Sequence, residues 1–233
     1  MPESARKGRG ARNFAGALAA ALAALGLTMI GFAVTRDNPE PPVPPAPAEA
    51  VDRAVETAPE QRTSKPGDKL THSATVPELG YSAPARVRIP SIGVDSTLVE
   101  LGLDPDGVME TPEPVESAGW FKPSPPPGLP GATVITGHVT WNQEPVVFFE
   151  LGSLRPGDLV EVDREDGKTT TFEVTRIGTF PKDEFPTAEV YDQPPRSELR
   201  LITCGGEYDP TTHSYPDNVI VWAKIIGVRA PKA

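Results

Sequence analysis

Leu199-Arg200-Leu201-Ile202-Thr203-Cys204-Gly205-Gly206 reads as a short strand that runs into a thiol and is then broken by paired glycines. Cys204 is the only cysteine in the 233-residue chain. An internal disulfide is therefore impossible, and no clustered Cys/His spacing of a structural zinc site is present. Thr133-Val134-Ile135-Thr136-Gly137-His138-Val139 has the same construction, an apolar strand delivering a reactive side chain beside glycine. A rigid strand end fixes such a side chain in place, and the adjacent glycine lets a substrate backbone approach closely. A free thiol, with a pKa of ~8.5, is only slightly ionised at neutral pH, so a nearby histidine both raises thiolate availability and carries protons. Cys204 is thus the candidate nucleophile and His138 its candidate proton-transfer partner. Singly, each has an ordinary explanation as a buried small hydrophobe or a solvated ring. Together, in a chain destined for export, they point to acyl transfer.

Around these segments lie further Val-, Ile- and Thr-rich runs: Arg86 to Ile89, Thr97 to Leu101, Leu159 to Asp163, Thr169 to Ile177 and Val219 to Val228. Short strands at regular spacing predict an all-β barrel or sandwich of about 145 residues, over 85–233. Phe148 to Leu154 is expected to form one or two helical turns. Asp104-Pro105-Asp106-Gly107, Arg155-Pro156-Gly157-Asp158 and Glu165-Asp166-Gly167 are expected as hairpin connections. Lys122 to Gly131 is a stiff proline-rich excursion suited to a groove wall.

The N-terminal third has a different character. Residues 1–13 carry Arg6, Lys7, Arg9 and Arg12, and 14–34 is an uncharged run rich in Ala and Leu. About 20 apolar residues cross a bilayer core and positive charge stays cytoplasmic, so 14–34 is expected to be an uncleaved transmembrane signal anchor with the N-terminus inside. Its length exceeds the apolar core of a cleavable signal peptide. Residues 35–84 are proline-rich, densest at Pro39-Glu40-Pro41-Pro42-Val43-Pro44-Pro45-Ala46-Pro47, and are expected to form a disordered stalk. The catalytic part would then sit outside the cell membrane on a single-pass anchor.

The formal charge of −10 falls entirely within 85–233, because 1–84 holds nine basic and nine acidic side chains. An acidic domain without a basic stripe excludes nucleic acid as a partner.

The sequence resembles the sortases, and within them the actinobacterial class F type, across roughly Pro84 to Gly227. The resemblance rests on Arg88-Ile89-Pro90-Ser91-Ile92-Gly93-Val94, Thr136-Gly137-His138-Val139, Val147-Phe148-Phe149, Phe185-Pro186-Thr187 through Val190-Tyr191, Leu201-Ile202-Thr203-Cys204-Gly205-Gly206 and Asp217-Asn218-Val219-Ile220-Val221. It implies an eight-stranded sortase-type β-barrel with short helices and a cysteine transpeptidase. Such an enzyme cleaves a Leu-Pro-x-Thr-Gly-like sorting signal on secreted proteins through a thioacyl intermediate on Cys204. A peptidoglycan precursor amine then accepts the acyl group. No metal or organic cofactor is implied, and a monomer is expected.

The family's third functional group is an arginine about a dozen residues after the cysteine, near the start of the last strand. Here that region reads Tyr215-Pro216-Asp217-Asn218 and holds no arginine. Asn218 at the strand start and Arg200, on the same strand parity as Cys204, are the substitutes as oxyanion or substrate stabilisers, with backbone N–H groups near Gly205 as a third source. His213, in a Thr-Thr-His-Ser loop, competes with His138 as the base. Two other readings stay open: an L,D-type peptidoglycan transpeptidase, and a stalked wall-binding module without activity.

Overall fold

A computed structural model describes residues 40–48 and 79–231. The basic tail, the apolar run 14–34 and most of the proposed stalk lie outside the described residues. Among the described residues no helix is long and apolar enough to cross a membrane.

Ten strands form among the described residues: β1 Pro84–Ile89, β2 Val94–Leu101, β3 Ala118–Phe121, β4 Gly131–Thr136, β5 Thr140–Trp141, β6 Glu144–Pro145, β7 Leu159–Arg164, β8 Thr169–Pro181, β9 Ser197–Gly205 and β10 Asp217–Arg229. Eight of them close into a barrel in the order β1-β2-β3-β4-β9-β10-β8-β7, while β5 and β6 make a separate small hairpin. Neighbours are antiparallel except β2 with β3 and β4 with β9. The expected strands are all present. β3, with its Ala-Gly-Trp-Phe sequence, was not anticipated: Gly119 is there because Leu101 lies so close that a Cβ would fall 2.4 Å from its side chain. The helical expectation at Phe148 to Leu154 is met by a 3-10 turn, Phe149–Ser153.

Of the three expected hairpins only Glu165-Asp166-Gly167 joins paired barrel strands, β7 and β8. Asp104 to Gly107 instead caps an excursion between β2 and β3, which are parallel and cannot be joined by a tight turn. Arg155 to Asp158 links the 3-10 turn to β7. The Lys122 to Gly131 excursion packs on Arg164 and Ser197.

Strands β4, β9 and β10 are buried on both faces. Ile135, Leu199, Leu201, Val219 and Val221 fill the barrel with Val87, Ile89, Trp120 and Phe172. On the outer face, Val134, Ile202, Ile220 and Trp222 form a second cluster with Val190, from the single helical turn Thr187–Val190. Each fully buried large apolar side chain contributes about 1.5–3 kcal/mol. Double burial explains why these strands read as nearly continuous apolar runs, whereas β7 alternates.

The outward residues of β7 meet Arg88 of β1, whose guanidinium binds both Glu161, at 2.9 Å, and Asp163. Hydrogen bonding from Arg88 holds the Asp163 carboxyl below its ordinary value, against the opposing effect of burial. At Glu161 burial pushes upward, but hydrogen bonds from Arg88 and Arg229 prevail and the carboxyl is lowered too. Depressed carboxylates stabilise the fold above their unfolded pKa values, near 4, and lose that contribution as pH falls through the folded values. The thermal midpoint should therefore fall steeply below about pH 4, and Arg88→Met should flatten that fall. An identical acid slope in the variant would refute the assignment.

The expected stalk over 35–84 is altered in two places. Residues 79–83 belong to the barrel: Leu79 and Ala83 are buried, and buried Arg164 donates to the Gly80 carbonyl at 2.7 Å. Residues 40–48 also pack on the domain, with Pro41 and Pro44 buried. A proline-rich stretch lacks large aliphatic side chains, but the pyrrolidine ring is itself apolar surface and loses no side-chain rotamer entropy on ordering.

Candidate active site

The barrel brings His138, Cys204 and Asn218 to the ends of three adjacent strands. In the parallel pair β4/β9, Thr136 stands opposite Ile202. Two residues further along each chain come His138 and Cys204, on neighbouring strand ends about 4.8 Å apart. The register is pinned beyond the ladder: the Gly137 N–H donates to the Ile202 carbonyl at 3.1 Å, and the Thr203 hydroxyl donates to the Gly137 carbonyl at 2.8 Å. Gly137 has no room for a side chain, since a Cβ would lie 2.7 Å from Phe148. That close approach seats the residue before His138 on the core.

On the other side, in the antiparallel pair β9/β10, Cys204 stands directly opposite Asn218. Directly opposed side chains share one face with Cβ atoms about 4.5–5.5 Å apart. That face is the outer one, because Ile202 and Ile220 on the same parities belong to the outer cluster. Asn218 is half-buried, and its amide makes no hydrogen bond among the described residues. Gly205 is squeezed against Val219, where a Cβ would fall 2.7 Å away, and Gly206 turns the chain at φ +87°.

Cys204 is a free, half-buried thiol. With His138 it lines a cavity of about 490 Å³. His138 Nε2 lies 3.3 Å from the Pro112 carbonyl, an acceptor for an Nε2–H. Trp141 tilts over the ring with centroids 5.8 Å apart. Tyr215 shares the cavity and holds Thr140 at 2.9 Å. Burial raises the Tyr215 phenol above its ordinary value, so it remains a neutral hydrogen-bonding group.

Several cavity residues escaped the sequence reading. Trp141, Asn142 and Gln143 lie on the β5/β6 hairpin, whose two turn residues have φ of 48° and 68°. Two positive φ values in succession suit a two-residue hairpin, for which Asn-Gly is the usual signal. With Gln143 in the second place, only Asn142 hinted at it. Lys182 also lines the cavity, exposed and without an ion pair among the described residues. It follows the end of β8, which pairs with β10 so that Pro181 faces Asp217.

His213 reaches the same cavity, on a turn with φ 52°, its Nδ1 3.3 Å from the Tyr208 hydroxyl. It is exposed, and no strand end fixes it as one fixes His138.

Arg200 is elsewhere. Its parity matches that of Cys204, but it lies four residues back, about 13 Å by strand rise, opposite Trp222. The guanidinium is 2% exposed and is held by Asp192 at 3.0 Å and Glu198 at 2.8 Å. Its donors are committed to the fold, and it is not among the residues around the cavity. Because an unpaired buried charge is costly, Asp192→Ala with Glu198→Ala should destabilise the protein by about 3–5 kcal/mol, while Arg200→Met costs less. Chemical denaturation measures both. Loss of activity in a folded Arg200→Met variant would instead give this arginine a role in the reaction.

No group of His, Cys, Asp and Glu able to hold a metal ion occurs among the described residues.

A family model described as a sortase domain matches residues 87–226, a span that includes every strand end of this site. The chain belongs to the sortase family. Among solved structures it is similar to sortase C-1 from Actinomyces oris, at 25% identity and a TM-score of 0.50, covering 61% of this chain and 73% of that one. It is also similar to a lid mutant of sortase A from Corynebacterium diphtheriae, at 22% identity and a TM-score of 0.49, over 62% and 70% of the two chains. Sortase D5 from Clostridium perfringens aligns at 26% identity with a TM-score of 0.46, over 62% and 79%. No curated protein matches. This sortase is accordingly a cysteine transpeptidase with an eight-stranded barrel. An L,D-type enzyme does not account for the family match.

Proposed function

We propose that this sortase cleaves a Leu-Pro-x-Thr-Gly-like sorting signal between Thr and Gly and transfers the secreted protein to a peptidoglycan precursor amine. The reading is of the class F type, with residues 14–34 as a membrane anchor and the barrel outside. The observation that carries it is the arrival of Cys204 and His138 in one cavity from adjacent parallel strand ends.

In this mechanism the Cys204 thiolate attacks the threonine carbonyl, and the C–N bond to glycine breaks. His138 gives its proton to the departing amine, leaving a thioester on Cys204. The incoming amine attacks that thioester, His138 takes up the amine proton, and the C–S bond breaks to release a new amide and free Cys204. Charge on the carbonyl oxygen needs a donor in place of the family arginine. Asn218 is supported by its register with Cys204 and its unengaged amide, and Lys182 by its place on the cavity. A neutral Asn gives a directed hydrogen bond, whereas the flexible ammonium gives a point charge.

The protein should be incubated with a peptide library of the Leu-Pro-x-Thr-Gly kind and candidate amines, with adducts and ligation products read by mass. A thioester at Cys204 that an amine discharges is the expected result. Failure of every such peptide to acylate Cys204 would refute the substrate class.

A further inference from the structure

The barrel domain carries the whole formal charge of −10, yet the wall of the Cys204 cavity holds no Asp or Glu among the described residues. Besides the thiol and two tyrosines, the titratable side chains on that wall are Lys182, His138 and His213. A cavity kept clear of carboxylates in an acidic domain, and supplied with an ammonium, is complementary to an anion. Lys182 also stands apart from the other described lysines. Lys122 pairs with Glu100 at 2.7 Å, Lys168 with Asp166 at 3.4 Å and Lys224 with Glu173 at 3.2 Å. Lys182 has no such partner among the described residues, although Asp183 and Glu184 follow it in the 3-10 turn Lys182–Glu184. Asp209, in the loop that carries His213, turns its carboxylate to the Thr211 N–H at 2.7 Å and the Thr212 hydroxyl at 3.0 Å. Asp217 directs a carboxylate oxygen towards Gly206. Neither reaches the cavity wall.

The place of the lysine is set by register. Lys182 follows Pro181, which faces Asp217 on β10, which in turn faces Gly205 on β9. It therefore stands two strand spacings, about 10 Å, from the strand of Cys204, on the side away from His138. Its flexible four-carbon stem covers much of that distance. A ligand with an amine at the thiol and a carboxylate several bonds away meets both groups. The fixed positions of a Leu-Pro-x-Thr-Gly signal offer no carboxylate side chain, which leaves the acceptor to supply one.

We propose that Lys182 forms a carboxylate subsite in the catalytic cavity, and that the preferred acceptor is an amine bearing a carboxylate a few bonds from its nitrogen. The acceptor assignment rests on the transpeptidase reading above; the anion subsite does not. The Tyr208 hydroxyl and His213 Nδ1, 3.3 Å apart, belong to hydrogen-bonding groups on the same wall. In this role Lys182 acts after the thioester has formed, so the charge that develops during acylation falls to Asn218 or to backbone N–H groups.

Because Cys204 is the sole cysteine, the subsite can be read without turnover. Iodoacetate and iodoacetamide alkylate a thiol by the same displacement and differ in one charge, so their rate ratio cancels any change in thiol ionisation. At low ionic strength, Lys182→Met should lower the iodoacetate-to-iodoacetamide ratio about three- to tenfold, and Lys182→Arg should preserve it. Lys182 is exposed, so its replacement leaves the fold intact. The acceptor is then tested by discharging the Cys204 thioester with Nα-acetyl-lysine or its carboxamide, which present the same side-chain amine. The native enzyme should show a KM about three- to tenfold lower for the acid, and Lys182→Met should erase that preference while acylating at the native rate. An alkylation ratio unchanged in Lys182→Met would overturn the subsite. A lowered ratio without acylation by any sorting-signal peptide would sustain the subsite and count against the transpeptidase substrate. Equal use of the acid and the carboxamide, with a Lys182-dependent preference for an acidic residue at x, would move the carboxylate to the sorting signal and overturn the acceptor assignment.

Discussion

Cys204→Ala is expected to eliminate both the covalent peptide adduct and the amine-ligated product, with the fold intact. His138→Ala should lower the acylation rate by about 10²–10⁴-fold, the range for a positioned proton-transfer group. The two effects differ in kind. Without the thiol no acyl-enzyme can form, whereas without the imidazole the nucleophile is still present but no positioned group protonates the departing amine. A slowed but measurable acylation is therefore expected in His138→Ala, and none in Cys204→Ala. Single-turnover acylation monitored by mass separates these outcomes. His213→Ala provides the control: it shares the cavity but sits exposed on a turn held by Tyr208. Wild-type acylation by His138→Ala, together with loss in His213→Ala, would exchange the roles of the two histidines.

Asn218→Ala is expected to reduce kcat for acylation by about 10²–10³-fold while KM changes little, the signature of a donor that acts as charge develops on the carbonyl oxygen. The basis is geometric: β10 runs antiparallel to β9 with Asn218 facing Cys204 across one rung. Asn218→Asp replaces the amide donor with a like-charged acceptor and should be at least as damaging. Lys182→Met tests the other candidate. A loss confined to KM there would make the lysine a substrate contact, and a loss in kcat that exceeds the Asn218→Ala effect would move the stabilising role to Lys182. Activity unaffected by either change would leave the developing charge to backbone N–H groups near Gly205.

Much of the barrel is legible in residue order. Period-2 alternation marks β7, and aliphatic runs mark β4, β9 and β10. β3 was hidden because its strand signal is only four residues long and starts Ala-Gly. The turn at Asp104-Pro105-Asp106-Gly107 was recognised as a turn but not as part of a crossover, since turn chemistry is local and carries no information on whether the flanking strands are parallel. Arg200 illustrates the same limit: its parity placed it correctly on the outer face, yet nothing local indicated that Asp192 and Glu198 would close around it.

The order of residues sufficed to find the reactive pair, because a strand end beside glycine is a local pattern and each of Cys204 and His138 carries its own. Local pattern also sufficed for the all-β class. It could not select among Asn218, Lys182 and Arg200, which differ in where non-local pairing leaves their donors. Nor could it seat Glu40–Ala48 on the barrel, since proline content reports an extended chain and not the surface that receives it. That surface exists only once Gly152, 104 positions after Ala48, is folded beneath the segment. Contacts between residues far apart in sequence come from closing the barrel, and closure depends on the strand registers taken together.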